Sequence, residues 1–114
     1  MKPLFVLALF VLTLFAEDMV VTIRYNNGMP DKVVQTTYTP GASALSVLQQ
    51  VSAVQTSKTR KYLFVRSIDG VQSQIGTFGW FYTIDEKPVN TTAQNTLLKD
   101  TKTMMWVYKV EACY

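Results

Sequence analysis

The sequence has no histidine and a single cysteine, Cys113. Without histidine there is no Ser-His or Cys-His nucleophile system, and the commonest metal ligand is missing. With one cysteine no disulfide can close within the chain. An odd thiol in an exported chain is either inert or free to pair with another molecule. Charge is sparse as well: eleven basic and eight acidic side chains leave a net +3, and neither sign forms a run. That argues against nucleic acid or an anionic membrane surface as a partner. The five glycines build no phosphate-cradling loop, and no carboxylates fall at calcium-loop spacing. Asp85 and Glu86 are neighbours, which on a strand would turn them to opposite faces, a poor geometry for an acid/base pair. "GASAL" lacks the second glycine of a nucleophile elbow, and Ser43 within it reads as a helix cap. These absences point away from an enzyme and call for neither cofactor nor metal.

What is present begins with the leader-like opening MKPLFVLALFVLTLFAED. Lys2 is followed by an apolar run from Leu4 to Ala16, broken only by Thr13. The run is shorter than the roughly 20 residues a membrane-spanning helix needs. A basic start, a short apolar run and a small residue before polar sequence match a signal peptide over residues 1–16. The alternative is an uncleaved anchor. No acylatable cysteine follows the run, so a bacterial lipoprotein is not supported. The expected product is one small domain over residues 17–114, secreted or, in a Gram-negative bacterium, periplasmic, with no membrane segment once the signal is cut.

The rest of the chain alternates in period two, with one helical interval. Val21, Ile23 and Tyr25 alternate with Val20, Thr22 and Arg24, and Val33 to Tyr38 follow a turn at Asn27-Gly28, Pro30 and Asp31. The pair predicts a hairpin. In "SALSVLQQVSAV", Ala44, Val47, Leu48, Val51 and Val54 fall at helical spacing. "QTSKTRK", 55–61, reads as a loop. Further strands are expected over 62–68, before a turn at Asp69-Gly70, over "GWFYTI" and over "TMMWVYKV". Pro88 restricts "DEKPVN" to a turn or short edge segment. The order β-β-α-β-β-β predicts an α+β domain, a β-grasp-like mixed sheet packed on one helix. "NTT" at 90–92 makes Asn90 an N-glycosylation acceptor in a eukaryotic secretory pathway.

Aromatic residues concentrate in "GTFGWFYTIDEKPVN". Trp80, Tyr82 and Ile84 fall on one face of the expected strand, and Phe81 and Thr83 on the other. One helix covers only one face. The other rings must be covered by the loops 69–79 and 86–102, meet a partner, or bind a ligand. Tyrosine and tryptophan suit binding sites, with an apolar body and a polar handle. The Trp80 set is expected to face the core, and the side of Phe78 and Phe81 is open to binding.

"PGASALSVLQQV", "YLFVRSIDGV", "GWFYTIDEKPVN" and "LLKDTKTMMWVYK", in this order and spacing, resemble the DUF4430 family and the C-terminal β-domain of transcobalamin and intrinsic factor. The resemblance covers about residues 19–110. It departs at Asp85-Glu86, where the family often has Asn-Gly, and at Asp100-Thr101-Lys102, where it often has Asp-Gly-Asp or Asp-Gly-Glu. Those turns must take another geometry or hold a non-glycine residue at a cost. In the vitamin B12 carriers the ligand is clamped between this domain and an α-helical barrel that the present chain lacks. The resemblance implies a secreted, non-catalytic binding module for a small ligand, with cobalamin or another corrinoid as a candidate, alone or with a helical partner. Its ligand-facing residues would be Phe78, Gly79, Trp80, Phe81 and Tyr82. The alternative is an extracellular protein-interaction or self-assembly module that uses sheet edges or the aromatic face, with Cys113 available for crosslinking.

Overall fold

The computed structural model describes residues 16–74 and 77–110. The expected leader up to residue 15 and Cys113 lie outside the described residues. Among the described residues, eight strands and one α-helix follow in the order β1 (Glu17–Arg24), β2 (Lys32–Tyr38), α1 (Ala44–Val51), β3 (Val54–Thr59), β4 (Tyr62–Ile68), β5 (Val71–Gln72), β6 (Phe78–Ile84), β7 (Lys87–Pro88) and β8 (Thr103–Val110). A 3-10 turn, Ala93–Asn95, interrupts the connection from β7 to β8. The main sheet has the strand order β2-β1-β8-β6-β7. It is mixed: β1 and β8 run parallel, and the other neighbours are antiparallel. The α+β class and the single helix against a mixed sheet are as expected. A second, smaller sheet of β3, β4 and β5 joins the helix.

Alternation decides which side of the main sheet is buried. Met19, Val21 and Ile23 from β1 and Met104, Trp106 and Tyr108 from β8 point to one face and are almost wholly buried. Register aligns them: Val21 faces Met104, and Ile23 faces Trp106. Trp106 in turn faces Tyr82 of β6. Over this inner face lies α1, which contributes Ala44, Leu45, Val47 and Leu48. The inward residues of the small sheet, Ile68 with Leu63, Val65 and Val71, complete the cover.

The helix starts where the chain dictates. Gly41 takes φ +96° and turns the chain after Pro40. Ser43 is extended, and its hydroxyl accepts from the Ser46 amide at 3.1 Å, one of the donors a helix start leaves unpaired. The end differs from expectation. Ser52 is already extended at φ −149°, so Val54 belongs to β3, and part of the segment read as a loop over 55–61 is strand. The stripe arithmetic fits Val54 in either state. A polar edge strand with only Val54 and Thr56 turned inward carries no alternation to read.

The hairpin turns settle how the family's glycine positions are handled. Asp69-Gly70 joins Ile68 to Val71 with both residues at positive φ, 50° and 85°. Asp85-Glu86 joins Ile84 to Lys87 in the same way, at 49° and 68°. This is the two-residue turn whose twist matches its strands. The chain therefore keeps the geometry and places a glutamate where glycine is preferred. Asp85 gains a compensation, because its carboxylate accepts from the backbone amides of Lys102 at 2.8 Å and Thr103 at 2.9 Å. Asp100 also sits at positive φ, 54°.

Candidate functional site

β6 carries the aromatic cluster and has two unlike sides. Trp80, Tyr82 and Ile84 pack against the core. Their polar tips are hooked by the loops. The Trp80 indole donates to the Val71 carbonyl at 2.9 Å. The Tyr82 hydroxyl donates to the Thr91 carbonyl at 2.8 Å and lies 2.6 Å from the Thr96 hydroxyl. Burial raises the Tyr82 pKa above the ordinary tyrosine value, against the lowering effect of Thr96. The loops 69–79 and 86–102 thus hook residues of the core face. The expectation for Phe78 needs correction: it shares a face with Trp80, and its ring stacks on Tyr108 at 5.5 Å. Alternation places Phe78, Trp80 and Tyr82 together and leaves Phe81 alone on the reverse.

Phe81 is half-buried on that reverse face. Its ladder neighbour is Val107, and Gly79 faces Lys109. With no side chain at Gly79, the Lys109 ammonium lies over the Phe81 ring, 4.9 Å from its centre.

Beside Phe81 the edge of β6 opens. Gln74 bridges Phe78 at one end. At the other, β7 pairs only with Thr83 and Ile84 and stops at Pro88, which fixes φ and offers no N–H. Between these points no strand of the described residues pairs with that edge. β4 runs alongside instead, in the other sheet. The gap is a groove of about 770 Å³ between β4, β6, β8 and the segment from Pro88 to Ala93. A second hollow of about 850 Å³ continues it past Gly79, Arg66 and Ser73. The two share Phe64, Val65, Trp80 and Phe81. This size falls within the range of small-molecule sites.

The far wall was not identified as part of the site from the sequence. Tyr62 and Phe64 stand 44% and 46% exposed on the outward face of β4, their rings 6.3 Å apart. Leu63 between them and Val65 after them turn to the core. The alternation of "YLFV" carries that signal, but its position opposite Phe81 is a matter of tertiary contact. The segment that follows the groove's other wall is tied to the helix start. Leu98 donates to the Ala42 carbonyl and accepts from Gly41, both at 2.8 Å, and Ala44 donates to the Thr96 carbonyl.

Of the expected site residues, Trp80, Phe81 and Tyr82 line the groove, Gly79 lines its continuation, and Phe78 lines neither. Asn90 is exposed on the groove wall. Among the described residues no three His, Cys, Asp or Glu side chains gather as a metal site. A part-buried polar network lies elsewhere. Asp69 accepts from Tyr25, from Ser52 at 3.0 Å and from the Ala53 amide at 3.1 Å, and pairs with Lys32 at 3.4 Å. Burial pushes the Asp69 carboxyl up, but these donors outweigh it and hold it below the usual carboxylate range. This network fastens β1, β2 and the helix end to the β4 turn.

With this geometry in view, comparison with known proteins decides the family. The domain of unknown function DUF4430 matches residues 41–110, more than half of the chain. The chain belongs to the DUF4430 family. Its fold recurs in solved structures. A candidate metal-binding protein from Ruminococcus gnavus ATCC 29149 superposes with a TM-score of 0.70 at 20% identity, over 84% of this chain and 99% of that one. Haptocorrin, solved in complex with Cbi, superposes with a TM-score of 0.73 at 11% identity, over 85% of this chain and 26% of that one. No curated protein matches the chain in sequence. At 20% and 11% identity, these likenesses establish the fold of this DUF4430 domain. The β1–β2 hairpin precedes the matched family region and completes the sheet.

Proposed function

We propose that this DUF4430 chain is an exported, non-catalytic binding module that holds a small, apolar-faced ligand in the groove between β4 and β6. The observation that carries the reading is the groove itself. Rings from two separate sheets converge there, at the one stretch of β6 left without a strand neighbour among the described residues. Contact would be shape-matched and apolar, from Phe81, Phe64 and Tyr62, with the edges of Trp80 and Tyr82 at the floor. No covalent step is involved. A corrinoid is the first ligand to try, because the chain resembles a quarter of haptocorrin in fold. A helical partner chain would supply a second wall where that protein has further sequence. Export is supported by the opening of the sequence. Among the described residues, no helix is long and apolar enough to cross a membrane.

The test is a titration of the purified chain with cobalamin and cobinamide, followed by calorimetry and by the corrin absorbance. Saturable binding at micromolar or better is expected of a stand-alone binder. No binding at millimolar ligand removes the stand-alone corrinoid carrier. A pull-down with helical proteins from the native secretion would then test the half-site form.

A further inference from the structure

The charges around the groove are one-sided. Among the described residues, the lining of the groove and of its continuation includes Lys109 and Arg66 and no aspartate or glutamate. The exposed turn that ends the β4 wall adds Arg60 and Lys61, and the Lys61 ammonium lies 5.6 Å from the centre of the Tyr62 ring. Two cations are thus laid over groove aromatics, Lys109 on Phe81 and Lys61 on Tyr62. Of the nearby carboxylates, Asp69 is engaged in its part-buried network and Asp85 on the amides of Lys102 and Thr103, while Glu86 is exposed in the β6–β7 turn and does not line the groove. Among the described residues no ion pair includes Lys61, Arg66 or Lys109.

A buried donor also borders the groove, from the opposite face of β8 to Lys109. Trp106 lines the groove and is 2% exposed. Its indole Nε1 is, among the described residues, the buried side-chain polar atom left without a hydrogen-bond partner. A buried donor without an acceptor is costly and calls for one. The continuation adds the hydroxyls of Ser57, Thr59 and Ser73. The site is therefore rich in donors and positive charge, and its described lining has no anionic side chain.

We propose that the ligand of this groove is an amphipathic anion. Its apolar or aromatic body rests between Phe64 and Phe81, and its carboxylate, sulfonate or phosphate is taken by Lys109 and Arg66. The proposal rests on the groove being the binding site. It adds the charge class of what binds there.

Two dyes that share a ring system test it. 1-Anilinonaphthalene-8-sulfonate carries one negative charge, and its parent N-phenyl-1-naphthylamine carries none. Fluorescence titration of the full chain at low salt should show the sulfonate binding about tenfold tighter, the order of gain that two exposed charges supply together. Raising the salt should shrink that advantage. The double variant R66Q/K109Q should abolish it, so that the two dyes bind that variant with equal affinity. A control of equal charge loss away from the groove, K99Q/K102Q, should preserve it. Cooperative thermal unfolding of each variant shows that the dye is not reporting a loosened core. Equal affinity for both dyes keeps the groove and overturns the anion. An advantage that survives R66Q/K109Q, or is lost in K99Q/K102Q, overturns it too. If neither dye binds, the groove reading falls and the charge class falls with it.

Discussion

The two faces of β6 are separated by the thickness of one strand, yet they are built for opposite ends. On the inner face each ring has a partner: Tyr82 stacks on Trp106 at 4.6 Å, Trp80 meets Tyr108 at 5.1 Å, and hydrogen bonds hold the polar tips of Trp80, Tyr82 and Tyr108. On the outer face Phe81 has a lysine above it and a groove beside it. The comparison teaches that ring content alone does not mark a binding surface. The Trp80 rings are aromatic because the core is deep there, and their hydroxyl and indole groups anchor loops. Phe81 is the ring whose size the interior does not explain.

The comparison can be broken at several points. Trp106→Ala should have the largest effect. It removes the centre of the inner face, and chemical denaturation should show a loss of about 3–5 kcal/mol. Asp69→Asn comes next, with an expected loss of about 2 kcal/mol at neutral pH, because a charged acceptor shared by several donors is removed. It should also change the acid response. The folded-state pKa of Asp69 lies below its unfolded value, so its contribution is fully present above about pH 4 and drains as pH falls through the folded value. Thermal melts from pH 7 to pH 2 should therefore show a shallower acid decline in the Asn variant. Phe81→Ala sharpens the comparison from the other side. It should cost only about 1 kcal/mol, since the ring is half-buried, while ligand or dye affinity falls about tenfold. A stability cost of about 3–5 kcal/mol with unchanged binding would instead place Phe81 in the core. The smallest effect should come from Glu86→Gly, a gain of about 0.5–1 kcal/mol from relieving a left-handed glutamate, with no change in binding.

Legibility in the sequence followed the range of the interactions. Period-two alternation in β1, β6 and β8 and the stripe of α1 are local, and the buried faces could be read from them. So could the Ser43 cap, which needs only a hydroxyl in the right place. β3 could not be read, because an edge strand that buries two small side chains has no apolar rhythm. The helix end was misjudged for a related reason: no glycine marks it, and Val54 continues the stripe by coincidence of spacing. At the site, Trp80, Phe81 and Tyr82 were visible as a cluster. The wall formed by Tyr62 and Phe64 was not, since the two strands meet only after the sheets pack. Phe78 was assigned to the wrong side although alternation alone would have corrected it.

The parallel pairing of β1 with β8 makes the core depend on contact between distant parts of the chain. These strands are neighbours near the middle of the main sheet, yet residues 17–24 must find residues 103–110. The β1–β2 hairpin and the β6–β7 hairpin are each local, but β8 joins them. Until that strand arrives, the inner face of β1 has no Trp106 to rest on and the core remains open to water. Such distant pairing makes closure slow relative to a chain of local contacts. A chain that ends before Thr103 lacks Trp106 at the centre of the inner face, and lacks Val107 and Lys109 on the wall of the groove.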